Sequence, residues 1–430
     1  MPGRLNIFQR VMLQWNALHP YNAIHMVRVQ AVLDPTRLGN VIRHLLVRLG
    51  LTGLQMDAAY ATFDYQGGPA QCEIKLLTEP DPQTALIAEV ERQLNTRFST
   101  NQRFTPFRFF ILPEGGSFLL GLVYFHPVAD AEAVVFLLKR IVETYFVPDE
   151  GGSVESLDLY PPTRDGLLRQ PKLLAKKLAA IPGMMLNMRR SCRPNYRDIA
   201  DSKVGATLFS LPSGSLPKLA QASKAWGVTI NDVFLALLAH SLAPLAIRSQ
   251  KGGRRELSLG CIVNLRRDLG LQGPRTFGLF LGSFIVTQPM PSENSRPREI
   301  AAVVRERTER VKSDQLYLTS ALELRFGRRM MGLFSTRERR KLYQKHYPLW
   351  GGITNMNLNS LWPQPMDGTS FDYLRVVATG PATPLVLSVT TAGENVNIGL
   401  TFRRTVFSPE DIGRIQNDLL ETVSGRELTT

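Results

Sequence analysis

The stretch Gly121-Leu-Val-Tyr-Phe-His126-Pro-Val-Ala-Asp130, with the residues that follow it, constrains this chain more than any other. An apolar strand runs up to His126. Within four residues the apolar spacing changes to that of a helix, with Val134, Leu137, Leu138, Ile141 and Tyr145 following its period. A strand that passes so quickly into a helix needs a sheet with a helix laid against it. It also leaves a titratable imidazole at a strand end, where the chain leaves the sheet and side chains can face a cleft.

Three further helices announce their starts, because Asp or Ser followed by Pro supplies a capping oxygen and a residue pre-set for the first helical position. Asp34-Pro35 opens one with Leu38, Val41, Leu45 and Leu49 on one face, and Asp81-Pro82 opens another with Leu86, Val90 and Leu94. Ser408-Pro409 opens the last, with Asp411 placed to close a capping box and Ile412, Ile415, Leu419 and Val423 as its stripe. Strands read at 25–33, 117–125, 257–265, 276–286, 371–378, 384–391 and 396–403, the last two joined by a turn at Ala392-Gly393-Glu394-Asn395. The class is therefore mixed, α/β or α+β, with mostly non-local sheets.

At 430 residues the chain exceeds one ordinary core and predicts two domains. Breaker clusters at 147–153 and 160–164 end the first, giving residues 1–160, a basic crossover over 161–203, and a second domain over 204–430. Within the crossover, the stretch from Leu167 to Arg193 interleaves Lys and Arg with Leu, Ile and Met. It reads either as an amphipathic linker helix at the domain junction or as a contact for a membrane surface, and a second basic run spans Arg325 to Lys345.

The formal charge of +14 calls for an anionic partner: coenzyme A, an acidic carrier protein or anionic lipid. Nucleic acid is not expected, since no zinc-ligand spacing, aromatic RNA-binding motif or recognition helix accompanies the charge. Cys72, Cys192 and Cys261 are odd in number and far apart, which fits a reducing compartment. The N-terminal stretch lacks an apolar signal core, and no unbroken apolar run of membrane-spanning length occurs, so the expected location is the cytoplasm, with peripheral membrane contact open.

An imidazole titrates near neutrality and suits a general base that deprotonates a hydroxyl or amine. On spacing alone, a His-x-x-x-Asp pair is better described as a hydrogen-bonded loop histidine and an aspartate favoured by a helix dipole. His19, His25, His44, His240 and His346 lack convincing metal spacing, so no metal is expected, and no Gly-x-Ser-x-Gly elbow supports a serine hydrolase.

The segment resembles the His-His-x-x-x-Asp-Gly signature of the HxxxD acyltransferase superfamily. That group holds condensation domains, chloramphenicol acetyltransferases, wax ester synthase/diacylglycerol acyltransferases and polyketide-associated acyltransferases. Three further stretches resemble the same group: Thr229-Ile-Asn231-Asp232-Val, Val263-Asn264-Leu-Arg266 with Phe277-Gly278 after it, and Thr354-Asn355-Met-Asn-Leu-Asn359. They occur in the family's order, and the likeness covers essentially the whole chain. The sequence departs at Phe125 in place of the first histidine, Pro127, Ala131 in place of glycine, and Leu279 in place of asparagine.

The resemblance implies a pseudo-dimer of two chloramphenicol acetyltransferase-like sandwich domains with a tunnel between them. His126 would be the general base, Asp130 and Arg266 a structural ion pair, and Asn264, Thr229 and Asn355 tunnel or oxyanion residues. The implied reaction moves an acyl group from an acyl-CoA or acyl carrier protein thioester to an alcohol, forming an ester, with no cofactor beyond the thioester substrate. The absence of an Asp-Phe-Gly-Trp-Gly segment points to the lipid-type branch. The alternatives are amide formation on carrier-protein substrates, or a non-catalytic module that binds carrier or lipid.

Overall fold

The computed structural model describes the chain apart from residues 1, 58, 60, 148–156, 162–170, 250, 251, 272, 274, 293, 364–371, 426, 427, 429 and 430. Residues 148–153 of the first breaker cluster, 162–164 of the second and 162–170 of the basic crossover therefore lie outside the described residues. The chain divides into two compact units. The first comprises Met1–Thr163, Asn264–Leu281 and Asn357–Ala378, and the second Arg164–Val263, Gly282–Met356 and Thr379–Thr430.

In the first unit a five-stranded sheet runs in the order Tyr373–Val377, Asn22–Val29, Ser117–Phe125, Phe107–Glu114 and Ile74–Leu76. All neighbours pair antiparallel except the last two strands. The strand Ser117–Phe125 is central and buried on both faces, which is why its sequence is an apolar run and not an alternation. Gly121 sits opposite Phe110, whose ring occupies the space a Cβ would need, 2.2 Å from it. Gly121→Ala is thus expected to force the buried Phe110 ring aside and destabilise the fold by about 1–3 kcal/mol, read as a shifted urea midpoint with unchanged slope.

Helices Pro35–Arg48, Pro82–Asn95 and Ala131–Phe146 start as local chemistry dictates: Asp34, Asp81 and Asp130 each accept a hydrogen bond from a backbone N–H of the first turn. In the first of these, Ile42 takes the buried position that the spacing gave to Val41. The strand expected at 25–33 runs over Asn22–Val29, and two further strands differ more. The strand expected at 371–378 with the C-terminal pair joins the first unit's sheet beside Asn22–Val29. The run expected at 276–286 is broken into Thr276–Phe277 and Leu281–Pro289, for a reason that lies at the site.

The second unit is built on a six-stranded sheet, ordered Leu281–Pro289, Glu256–Asn264, Leu349–Asn357, Leu385–Ala392, Asn395–Arg403 and Val204–Ser210. The hairpin turns at Gly393, which adopts φ +61°. Helix Ile230–Arg248 is long and apolar enough to cross a membrane by length and composition, but most of it is buried in this unit. It packs there with Ser215–Trp226, Pro297–Ser313 and Pro409–Ser424. The last of these carries the expected box between Ser408 and Asp411.

Candidate active site

His126 opens a single 3₁₀ turn, His126–Val128, between the central strand and helix Ala131–Phe146. Pro127 fits there because a first-turn residue needs no N–H donor, and its carbonyl accepts from Gln9 Nε2 at 3.0 Å. Phe125, in place of a histidine, packs against Phe98 and Phe104 in the aromatic core.

The His126 ring is stacked on Tyr21, with centroids 5.5 Å apart and planes 9° from parallel, and meets Tyr124 edge-on at 5.5 Å. Its Nδ1 lies 3.2 Å from the carbonyl oxygen of Ala129. A carbonyl oxygen can only accept, so Nδ1 carries the ring proton and Nε2 keeps its lone pair. Burial brings the imidazole down from its ordinary 6.5 to about 4, with Arg375 adding to the effect and the Ala129 carbonyl and Asp130 charge opposing it. The imidazole is therefore neutral at physiological pH.

Asp130 does not touch that ring. Its Oδ1 accepts from Arg266 Nη2 at 2.9 Å and from the Ala133 N–H at 3.0 Å. Its Oδ2 accepts from Arg266 Nε at 2.9 Å and from the Phe280 N–H at 3.2 Å. Both partners are buried, so the pair is a bidentate, charge-assisted clamp between the start of the helix and the segment after residue 264. The Asp130 N–H donates to the Gly278 carbonyl at 2.8 Å. Backbone groups of 278 and 280 thus turn to Asp130 and leave the ladder, which breaks the strand expected over 276–286.

Asn264 joins the same constellation. Its Oδ1 accepts from the Arg266 N–H at 2.9 Å and its Nδ2 donates to Glu132 at 2.8 Å. His126, Asp130, Arg266 and Asn264 all belong to the first unit. Thr229 and Asn355 belong to the second. Thr229 caps helix Ile230–Arg248, its hydroxyl donating to Asp232 at 2.7 Å, and Asn355 lies exposed in strand Leu349–Asn357.

Of the polar residues sharing the sheet face of Tyr124, sequence reasoning named His25 only to set it aside as a metal ligand and did not single out Tyr373 or Arg375. His25 is buried, with Nδ1 2.6 Å from the Tyr373 hydroxyl and its Nε2 without a hydrogen-bond partner among the described residues. Arg375 pairs with His25 across the ladder and is buried, which lowers its guanidinium to about 10. A histidine and an arginine at period-two positions in apolar strands were the available signals.

Burial holds His25, like His126, well below its ordinary value. As pH falls from 6.5 towards 4, the unfolded chain binds protons that the folded chain refuses, so stability is full above 6.5 and drains below it. The slope contributed approaches about 1.4 kcal/mol per pH unit for each histidine. Urea titrations across this window are expected to show a shallower acid loss for His126→Gln than for the wild type. Equal slopes would contradict a neutral buried His126.

No family sequence model matches the chain, and no curated protein sequence matches it. Solved structures do match in fold. The first condensation domain of the calcium-dependent antibiotic synthetase, in complex with a substrate analogue, aligns with TM-score 0.73 and 15% identity over 100% of this chain and 97% of that one. The X-domain from teicoplanin biosynthesis aligns with TM-score 0.63 and 16% identity over 99% and 96%. The starter condensation domain of rhizomide synthetase, in complex with C8-CoA and Leu-SNAC, aligns with TM-score 0.63 and 15% identity over 98% and 93%. The chain has the fold of condensation domains.

Proposed function

We propose that the chain is an acyltransferase that moves an acyl group from a thioester, carried by coenzyme A or a carrier protein, to an alcohol, with His126 as the general base. The carrying observation is the tautomer: Nδ1–H is held by the Ala129 carbonyl and Nε2 keeps its lone pair. The acceptor hydroxyl gives its proton to Nε2 as its oxygen attacks the thioester carbonyl carbon. The tetrahedral intermediate collapses with cleavage of the C–S bond, and the departing thiolate takes the proton back from the imidazolium. The Ala129 carbonyl and the Asp130 charge favour the imidazolium while it exists. Asp130 and Arg266 act by fixing the turn that presents the ring, and Asn264 ties Glu132 to the same clamp.

A second reading, amide formation with an amine on a carrier protein, is favoured by the fold shared with antibiotic-synthetase condensation domains. The same base serves both reactions. Offering acyl-CoA and acyl-carrier donors with alcohol and amine acceptors, and identifying products by mass, separates them. Ester product supports the first reading and amide the second. Thioester hydrolysis without either product would contradict acyl transfer.

A further inference from the structure

Helices Pro171–Arg190, Ser320–Gly332 and Thr336–His346, all in the second unit, bury almost nothing. The buried residues are Leu173 and Lys177 in the first, Ser320 in the second and Tyr343 in the third. They are joined to one another and to their unit by polar contacts: Lys177 with Glu323, Lys176 with Asp314 at 2.7 Å, and Arg193 with the Lys345 carbonyl.

Their composition is lopsided. Together they carry thirteen Lys and Arg against Glu323 and Glu338, a net +11 of the whole chain's +14. Between the cations stand large apolar side chains held in water. Phe326 is 71% exposed and Leu333 77%, and with Met330 they form a stripe along helix Ser320–Gly332 and its C-terminal cap, flanked by Arg325 and Arg329. On the longest helix, Leu178 is 59% exposed and Met185 53%, with Leu174 on the same stripe.

Water-exposed apolar stripes are costly unless something covers them. Cationic flanks beside them match a surface that is anionic at its rim and apolar beneath, which a bilayer of anionic lipid provides. A polyanion without an apolar phase would use the charge and leave Phe326 and Leu333 unexplained. We propose that these three helices are a docking surface for an anionic lipid bilayer.

Flotation of the full chain with vesicles of phosphatidylcholine alone, or of phosphatidylcholine with phosphatidylglycerol, tests it. The chain is expected to float with the anionic vesicles and to be released by salt. Arg325→Gln with Arg329→Gln is expected to weaken partition about 25-fold, roughly fivefold per cation. Phe326→Ser with Leu333→Ser is expected to weaken it about tenfold or more. All four positions are exposed, and an unchanged melting curve by circular dichroism verifies that each variant is folded. Failure to float with anionic vesicles would overturn the proposal. So would wild-type partition by the Phe326/Leu333 variant, which would mark the surface as a site for polyanions in general. Binding to an acidic carrier protein but not to vesicles would overturn it in favour of a protein partner.

Discussion

Asp130→Ala is expected to destabilise the protein by about 3–5 kcal/mol, because it strands the Arg266 guanidinium in a buried site with its charge uncompensated. The same substitution removes the cap of helix Ala131–Phe146 and the acceptor for the Phe280 N–H, so several losses coincide at one carboxylate. Arg266→Ala should cost a similar amount by stranding the carboxylate. The double variant is expected to lose clearly less than the sum, since neither charge then remains buried alone. Urea midpoints for the wild type, the two single variants and the double variant measure this coupling. Additive losses would mean that the pair contributes nothing beyond its separate contacts.

His126→Ala is expected to act in the opposite way, with little effect on folding and a large one on rate. Among the described residues its ring makes one hydrogen bond, to Ala129, and stacks or meets edge-on with Tyr21 and Tyr124. Losing a positioned general base lowers turnover by about 10²–10⁴-fold, so acceptor-dependent thiol release should fall by that factor while the melting curve stays close to wild type. A variant that melts normally and turns over normally would remove His126 from the mechanism.

The parts of the fold legible in sequence were those written by neighbouring residues. Asp34, Asp81 and Ser408 cap helices within three residues of themselves, so their elements were readable without any tertiary information. The strand expected over 276–286 failed for the converse reason. Its break is imposed by Asp130, a residue remote in sequence that draws on the Gly278 carbonyl and the Phe280 N–H. Strand Tyr373–Val377 could not be assigned to its sheet because pairing with Asn22–Val29 depends on topology, not on pattern.

The candidate site divides along the same line. His126 stood out because a titratable ring interrupts a change of hydrophobic period, which is local information. The partnership of Asp130 with Arg266 came from resemblance to a family motif, since no spacing rule links them. The Tyr21 ring stacked on His126 left no trace in the sequence at all, because a strand-entry tyrosine is commonplace. The helix Pro171–Arg190 was legible as amphipathic, but its pattern left open a packed linker or a membrane-surface contact, and Leu178 and Met185 lie in solvent.

The proposed reaction rests on proton transfer from the acceptor to His126 Nε2 during thioester acyl transfer. It is tested most directly by thiol release from acyl-CoAs as a function of pH, with and without acceptor, over the range where the wild type stays folded. The expected result is acceptor-dependent release whose acid limb falls near 4, the value that burial imposes on His126, and not near 6.5. Release that ignores the acceptor, or a limb at the ordinary histidine value, would contradict it.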